Sequence, residues 1–339
     1  MLSPAFRGGA DYGDARGAGP ASRAVVYLAP PDRGVIADPA RLLITRGSQM
    51  ALFLAARAAV KPGQAIAVEE PGYPLAWEAF RATGAAVRGI PVDAGGLSVA
   101  ALEAAIESDP RIAAVYVTPH HQYPTTVTMG AARRLQLLDT VERHGITLIE
   151  DDYDHEYRFE GRPVLPLAAR APAGLPLIYV GSLSKLLSPG IRLGYAMAPE
   201  PLLTRMAAAR AAIDRQGDAP LEAALADLIR DGDLGRHARK ARRIYRARRD
   251  VLASALSAHL GGRIFFDRPA GGLALWLHCE NVSADTWAER AGAAGLALLP
   301  GTRFALDRAA PQALRLGYAA LDEEQIARAV EILVRSLPD

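Results

Sequence analysis

A chain of 339 residues, half of them hydrophobic, has enough material for one large or two moderate buried cores. Its net charge of +2 gives no general attraction to nucleic acid or to a membrane surface. The one cysteine, Cys279, excludes an internal disulfide framework and suits a reducing cytoplasm, and neither a membrane span nor a charged-then-apolar leader is visible.

In chain order, residues 1–39 come first. They are rich in Gly, Ala and Pro, lack a periodic apolar face until about Val25, and read as an N-terminal arm. Such an arm either wraps onto something else or follows an ordered part upstream. From 40 to 199, short apolar runs alternate with amphipathic helical patterns. "RLLIT" precedes "GSQMALFLAARAAV", "AIAVEE" precedes "YPLAWEAFRATG", "AAVRGIPVD" precedes "SVAALEAAIES", and "IAAVYVTP" precedes "GAARRLQLLDTVERHG". "ITLIEDDYD", "PLIYVGS" and "RLGYAMAP" complete the set. Strands apolar along their whole length and joined by helices predict a mostly parallel sheet covered on both faces, a three-layer α/β unit.

The pattern changes after Pro199. Two long helical stretches, roughly 200–231 and 233–259, precede short strands at "RIFFDRP", "GLALWLHC", "LALLPG" and "ALRLGYAAL", and "DEEQIARAVEILVRSL" closes the chain as a helix. This predicts a smaller α+β unit over 200–339. The run "GRHARKARRIYRARRD" gathers Arg236, Arg239, Lys240, Arg242, Arg243, Arg246, Arg248 and Arg249. A nucleic-acid face is one reading. A solvated helix face with Ile244 and Val251 buried is the favoured one, so this chain alone is expected to bind neither nucleic acid nor membrane.

Ligands of open α/β sheets sit at the carboxyl ends of the strands, so the residues just past each strand carry the chemistry. After "LLIT" come Gly47, Ser48 and Gln49, a helix start whose free N–H groups suit a phosphate. After "AVEE" comes Tyr73, and after "AVYVTP" come His121 and Gln122. After "TLIE" come Asp151 and Tyr153, and after "IYVG" come Ser182, Ser184 and Lys185, with Arg192 beyond. Lys185 has small hydroxyl residues around it and no acidic neighbour in sequence. Desolvation would lower its proton affinity and leave an amine able to form a Schiff base. Each feature alone has an ordinary structural explanation: a helix cap, a core tyrosine, a surface lysine. Together they specify a ligand with a phosphate, an aromatic ring, a ring group for a carboxylate and a carbonyl for the lysine. Pyridoxal 5′-phosphate meets all four requirements, and no metal is called for.

The motifs "DYGDARG", "LLITRGSQMAL", "VEEPGYP", "YVTPHHQYP", "LIEDDYDHEYRFEGRP", "GSLSKLLSPGIRLGY" and "LRLGYA" span nearly the whole chain. In that order they resemble fold-type I pyridoxal-phosphate enzymes of the class I/II aminotransferase family, and more narrowly the aminotransferase-like domain of MocR-type regulators of the GntR superfamily. The resemblance implies that Lys185 holds the cofactor, Asp151 pairs with the pyridine nitrogen, Tyr153 bonds the ring hydroxyl and Tyr73 stacks on the ring. Gly47, Ser48, Gln49, Ser182 and Arg192 would cradle the phosphate. Tyr12 would reach the phosphate of the neighbouring subunit, implying a homodimer with shared sites, and Arg315 would grip a substrate carboxylate as a bidentate fork.

Departures from the pattern are the lack of a winged-helix domain, a shortened "GAGPASRA" segment, and Tyr123 in place of an asparagine, with His121 or Gln122 as substitutes for its ring contact. The leading expectation is an aminotransferase acting on an amino acid and a 2-oxo acid. The rival is an effector-sensing module of a regulator with little turnover. A third possibility is a truncated remnant.

Overall fold

The computed structural model describes residues 13–17, 19, 34 and 38–338. Eight strands form the larger sheet: β1 (Leu42–Thr45), β2 (Ala65–Glu70), β3 (Ala86–Asp93), β4 (Gly96–Leu97), β5 (Ile112–Val117), β6 (Thr147–Asp152), β7 (Leu177–Ser182) and β8 (Gly194–Met197). Their spatial order is β1-β8-β7-β6-β5-β2-β3-β4. The central run β7-β6-β5-β2-β3 is parallel, and β8 lies antiparallel between β1 and β7. The mostly parallel sheet read from the apolar runs is therefore present. Every residue of β2, β6 and β7 is buried, as expected for strands covered on both faces.

Because side chains alternate across a strand, each strand supplies two cores. On one face Leu43, Ile66, Tyr116, Ile149 and Val180 pack against α1 (Gly47–Ala59), α2 (Pro74–Arg81) and α5 (Glu200–Ile213). On the other, Ile44, Ala67, Val115, Leu148 and Tyr179 pack against α3 (Val99–Ser108), α4 (Ala131–His144) and α6 (Ala219–Arg230). The layers are thus helix, sheet, helix.

The stretch 200–231 is not one helix. It breaks between α5 and α6, where Arg215 takes a left-handed φ of 61°. The Asp218 carboxylate then caps the new helix by accepting from the Leu221 N–H at 3.2 Å, with a proline in the first turn. The change of sequence pattern after Pro199 and the change of core do not coincide. Leu202, Leu203 and Met206 of α5 and Leu225 and Ile229 of α6 lie in the cores of the large sheet. A division by core falls inside the 28-residue α7 (Asp233–Leu260), whose Leu234 and Ala241 face the large sheet and whose Leu252, Leu256 and Leu260 face the small one.

The small sheet is antiparallel, in the order β11-β12-β10-β9, from β9 (Ile264–Phe265), β10 (Ala274–Cys279), β11 (Leu299–Pro300) and β12 (Ala313–Gly317). It packs on the end of α7, on α8 (Ala284–Ala293) and on α9 (Glu323–Arg335). Trp287 is fully buried there and its indole N–H donates to the Leu333 carbonyl at 3.0 Å, which satisfies the ring's one polar atom. Helix α9 starts with a complete capping box between Asp322 and Gln325. The two sheets are tied directly. One oxygen of the buried Glu70, at the end of β2, accepts from the N–H groups of Leu306, Asp307 and Arg308, each at 2.7 Å.

Candidate active site

Strand β6 ends in three carboxylates, and alternation sends them to different faces. Glu150 points to the α4 side, where it accepts from the Leu167 and Ala168 N–H groups at 2.8 Å each. Asp151 points to the α1 side, where one oxygen accepts from the Tyr116 hydroxyl at 2.9 Å. Its other oxygen, Oδ1, is buried and meets no hydrogen-bond partner. Burial pushes the Asp151 carboxyl up to about 7; the Tyr116 bond works against this, while Asp152 and Asp154 add to it. Asp152 points back to the α4 side, where the Tyr179 hydroxyl donates to it at 2.6 Å and His155 lies 3.0 Å away.

Lys185 follows β7. Its side chain is exposed, in contrast to the dry pocket expected from its neighbours in sequence, yet the position is held firmly: the Tyr157 hydroxyl donates to the Lys185 carbonyl at 3.0 Å. Partial burial and the charge of Arg315 lower its amine's proton affinity, while Asp154 and Asp151 oppose that shift. Ser182 and Ser184 are buried beside it.

The phosphate-type cup is built by close approach. Helix α1 begins at Gly47, which has φ 75°, and no side chain caps it, so its first N–H groups have no intrahelical acceptor. Arg192 is itself left-handed, φ 50°, which turns its guanidinium onto Gly47: a Cβ there would meet Arg192 Nη2 at 2.8 Å. A Cβ at Gly194 would meet the Gly47 carbonyl carbon and the Ser48 nitrogen at 2.8 Å each, so only glycine lets β8 lie this close to the helix start. Ser48 opens the same turn. Gln49 is spent otherwise, donating to the Leu75 carbonyl at 2.6 Å and fixing the turn that carries Tyr73.

Tyr73, half-buried, stands edge-on to Tyr123 with ring centroids 4.9 Å apart, and burial followed by the Asp151 charge pushes its phenol up to about 12. The Tyr153 hydroxyl donates to the His121 carbonyl at 3.0 Å. His121 Nδ1 lies 2.8 Å from Asp154, both side chains being buried. Gln122 donates to the Pro71 and Tyr123 carbonyls at 2.9 and 2.7 Å and accepts from Thr125, so it braces the loop. Arg315 on β12 stacks over Tyr123 at 4.5 Å, and its Nε is buried without a partner. Lys185 and Asp151 thus share their surroundings with Arg192 and Arg315. Tyr12 lies outside the described residues.

Sequence reasoning gave no role to Tyr116, Asp154 or Glu69. Glu69 is buried and held near 7 by desolvation, and it accepts from the Thr118 hydroxyl at 2.6 Å and the Thr118 N–H at 3.0 Å, shaping the loop before His121. The available signal was parity: Tyr116 points to the same face of β5 as Asp151 does on the neighbouring β6.

These features together define a fold-type I pyridoxal-phosphate protein. The chain belongs to the aminotransferase class I and II family, whose profile matches residues 4–333. It is 30% identical over 303 residues to aromatic-amino-acid aminotransferase 1 of Thermococcus litoralis, covering 88% of this chain and 72% of that protein. It is 34% identical over 310 residues to the HTH-type transcriptional regulator TauR of Rhodobacter capsulatus, covering 91% of this chain and 62% of the regulator. Among solved structures, the multiple substrate aminotransferase of Thermococcus profundus superposes with a TM-score of 0.88 at 29% identity, covering 96% of this chain and 82% of that one. The α-aminoadipate aminotransferase LysN of Thermus thermophilus, complexed with N-(5′-phosphopyridoxyl)-L-leucine, gives 0.86 at 29% identity with the same coverage. Fold, family and relatives make this a pyridoxal-phosphate-dependent aminotransferase-like protein. No helix among the described residues is long and apolar enough to cross a membrane.

Proposed function

We propose that the protein moves an amino group between an amino acid and a 2-oxo acid at Lys185, as a homodimer with shared sites. The residues fit pyridoxal phosphate on two counts: the orphaned Asp151 Oδ1 is an acceptor for a ring N–H, and the uncapped start of α1 sets free N–H groups beside the Arg192 guanidinium, donors suited to a phosphate. When bound, the cofactor supplies an aldehyde for an amine and a protonated ring that draws electrons from the substrate's Cα. The chain's own part is to hold and to move protons. Asp151, ionised opposite a cationic ring nitrogen, would keep that nitrogen protonated. Such a partner also relieves the burial that raises the carboxyl. Tyr153 would hold the ring hydroxyl, with His121 beside it, and Tyr73 would stack on the ring. Ser48, Ser182, Ser184 and Arg192 would join the free N–H groups of α1 in holding the phosphate, with Gln49 bracing the cup. Arg315 clamps the substrate carboxylate. Lys185 Nζ would take the proton from the substrate's Cα and deliver it to the cofactor's former aldehyde carbon, a role suited to an amine of lowered proton affinity. For Tyr12, outside the described residues, the resemblance implies a hydroxyl that would reach the partner's phosphate.

The observation that carries this reading is Asp151 Oδ1, a buried carboxylate oxygen with no partner whose charge acts on Lys185. Borohydride reduction of the cofactor-loaded protein and then peptide mass spectrometry test it: the label falls on Lys185, and a label elsewhere or none refutes it. The match to a transcriptional regulator over 91% of the chain favours a second reading, in which amino-acid binding shifts a conformational equilibrium and turnover is slow. Single-turnover spectra with amino acids, set beside steady-state rates with a 2-oxo acid, separate the two.

A further inference from the structure

The opposite face of the β6 end opens into a cavity of about 930 Å³ between the loop after β6 and the first half of α7. Lys185 does not line it. Six arginines do: Arg158, Arg236, Arg239, Arg242, Arg243 and Arg246. Against them stand two carboxylates, Glu156 and Glu160, and the Glu160 side chain already bonds Arg249 at 2.6 Å. Arg236 pairs with Asp233, but Arg239, Arg242 and Arg243 meet no ion-pair partner among the described residues. Surface arginines on a solvated helix would be screened within about 8 Å. In a concave wall their fields add instead.

Two buried donors turn this charged wall into a built site. His120, 3% exposed, lines the cavity with neither ring nitrogen hydrogen-bonded. Arg158 Nη1 is buried and likewise unpartnered. We infer that this cavity binds a small phosphate-bearing anion, with the guanidinium groups as bidentate donors and His120 as a neutral N–H donor. Planar guanidinium forks match phosphate oxygens in geometry as well as charge. A metal ion is the competing occupant, because ligand atoms of His120, Asp152 and His155 lie within 4.8 Å of one another. Asp152, however, already takes the Tyr179 hydroxyl at 2.6 Å, and the surrounding excess of guanidinium charge opposes a second cation.

The test is calorimetric titration of inorganic pyrophosphate into protein saturated with pyridoxal phosphate, so that the phosphate cup is filled. Cofactor occupancy is read separately from absorbance, which keeps a failure at one site from being mistaken for a failure at the other. Saturable one-to-one binding is expected, weakened at least tenfold by Arg239→Glu with Arg243→Glu. These are exposed positions whose change spares the core. Arg263→Glu, outside the cavity, leaves binding unchanged. His120→Leu also weakens binding, and the surface pair decides the matter if that variant does not fold. Absence of saturation, equal binding by the double variant, or equal loss with Arg263→Glu overturns the inference. So does stoichiometric zinc binding that needs His120, or duplex DNA binding by the same arginines, in protein that ignores pyrophosphate.

Discussion

Asp151 and Asp152 are adjacent, equally buried, and each bonded by one tyrosine of a neighbouring strand, yet they serve different regions. Tyr116 leaves half of Asp151 without a partner on the Lys185 side. Tyr179 and His155 both meet a single oxygen of Asp152, Oδ2, on the arginine side. The difference comes from strand parity alone. It means that one residue of register decides which carboxylate faces the Lys185 side and which faces the arginine side.

The largest effect expected is from Lys185→Ala, which removes the amine on the Asp151 side. Amine transfer in single-turnover assays should fall at least ~10²–10⁴-fold, the range of general acid–base catalysis, with folding unchanged by circular dichroism. Next comes the direct contrast of the two aspartates. Asp151→Asn should lower Cα deprotonation, read as hydrogen–deuterium exchange of a bound amino acid, by about two orders of magnitude. Asp152→Asn should act mainly on stability, by about 1–3 kcal/mol, as its hydrogen-bond geometry is disturbed. The reverse ranking would mean that the faces have been exchanged.

A pH experiment sharpens the same contrast. In the cofactor-free protein, folding lifts Asp151 from its usual 3.8 to about 7, so the folded state holds this proton more tightly than the unfolded chain. The resulting stability is complete below about pH 4 and is lost as pH rises through 7, on the order of a few kcal/mol in all. Denaturation of Asp151→Asn across that window should therefore slope less than the parent, with Glu69 and Glu150, also near 7, keeping part of the slope. Arg315→Lys comes next, loosening a bidentate grip: KM for the amino acid should rise about tenfold with kcat less affected. The smallest effect is expected from Tyr12→Phe, which should weaken cofactor binding by about 0.5–1.5 kcal/mol if the hydroxyl serves a partner subunit. Sedimentation with a cofactor titration reads it, and a monomer indifferent to Tyr12 would contradict shared sites.

The elements around the site were legible because fully apolar strands and helical periodicity dominate residues 40–199. The residues after each strand could be read as one sheet edge before any geometry was known. Side-chain commitments were less legible. Gln49 and Gln122 carry polar groups suited to a ligand, but their hydrogen bonds close on the neighbouring turns. Long-range satisfaction of this kind leaves no trace in local pattern. The basic run of α7 misled in the same way. Ile244, expected inside, is 39% exposed, while Arg249 is fully buried through bonds to Glu160, Asp250 and the Pro269 carbonyl. Sequence spacing marks a helix face, but only the fold determines which charge finds partners.

The triple acceptance by Glu70 limits how this protein can move. A carboxylate oxygen holding three successive N–H groups, reinforced by the Gly72 N–H donating to the Phe304 carbonyl at 3.0 Å, acts as a fixed fulcrum between the end of β2 and the segment leading to β12. The small sheet can tilt about that point but cannot lift away from it. A second tie lies at the loop carrying Tyr157 and Arg158, where the Phe159 and Glu160 N–H groups donate to the Ala270 carbonyl at 2.8 and 3.1 Å and the Gly272 N–H donates to the Tyr157 carbonyl at 2.8 Å. That loop separates the Lys185 side from the arginine side, so the line joining the two ties is the axis about which the small sheet can tilt, and a ligand lodged against Arg158 would sit at one end of it.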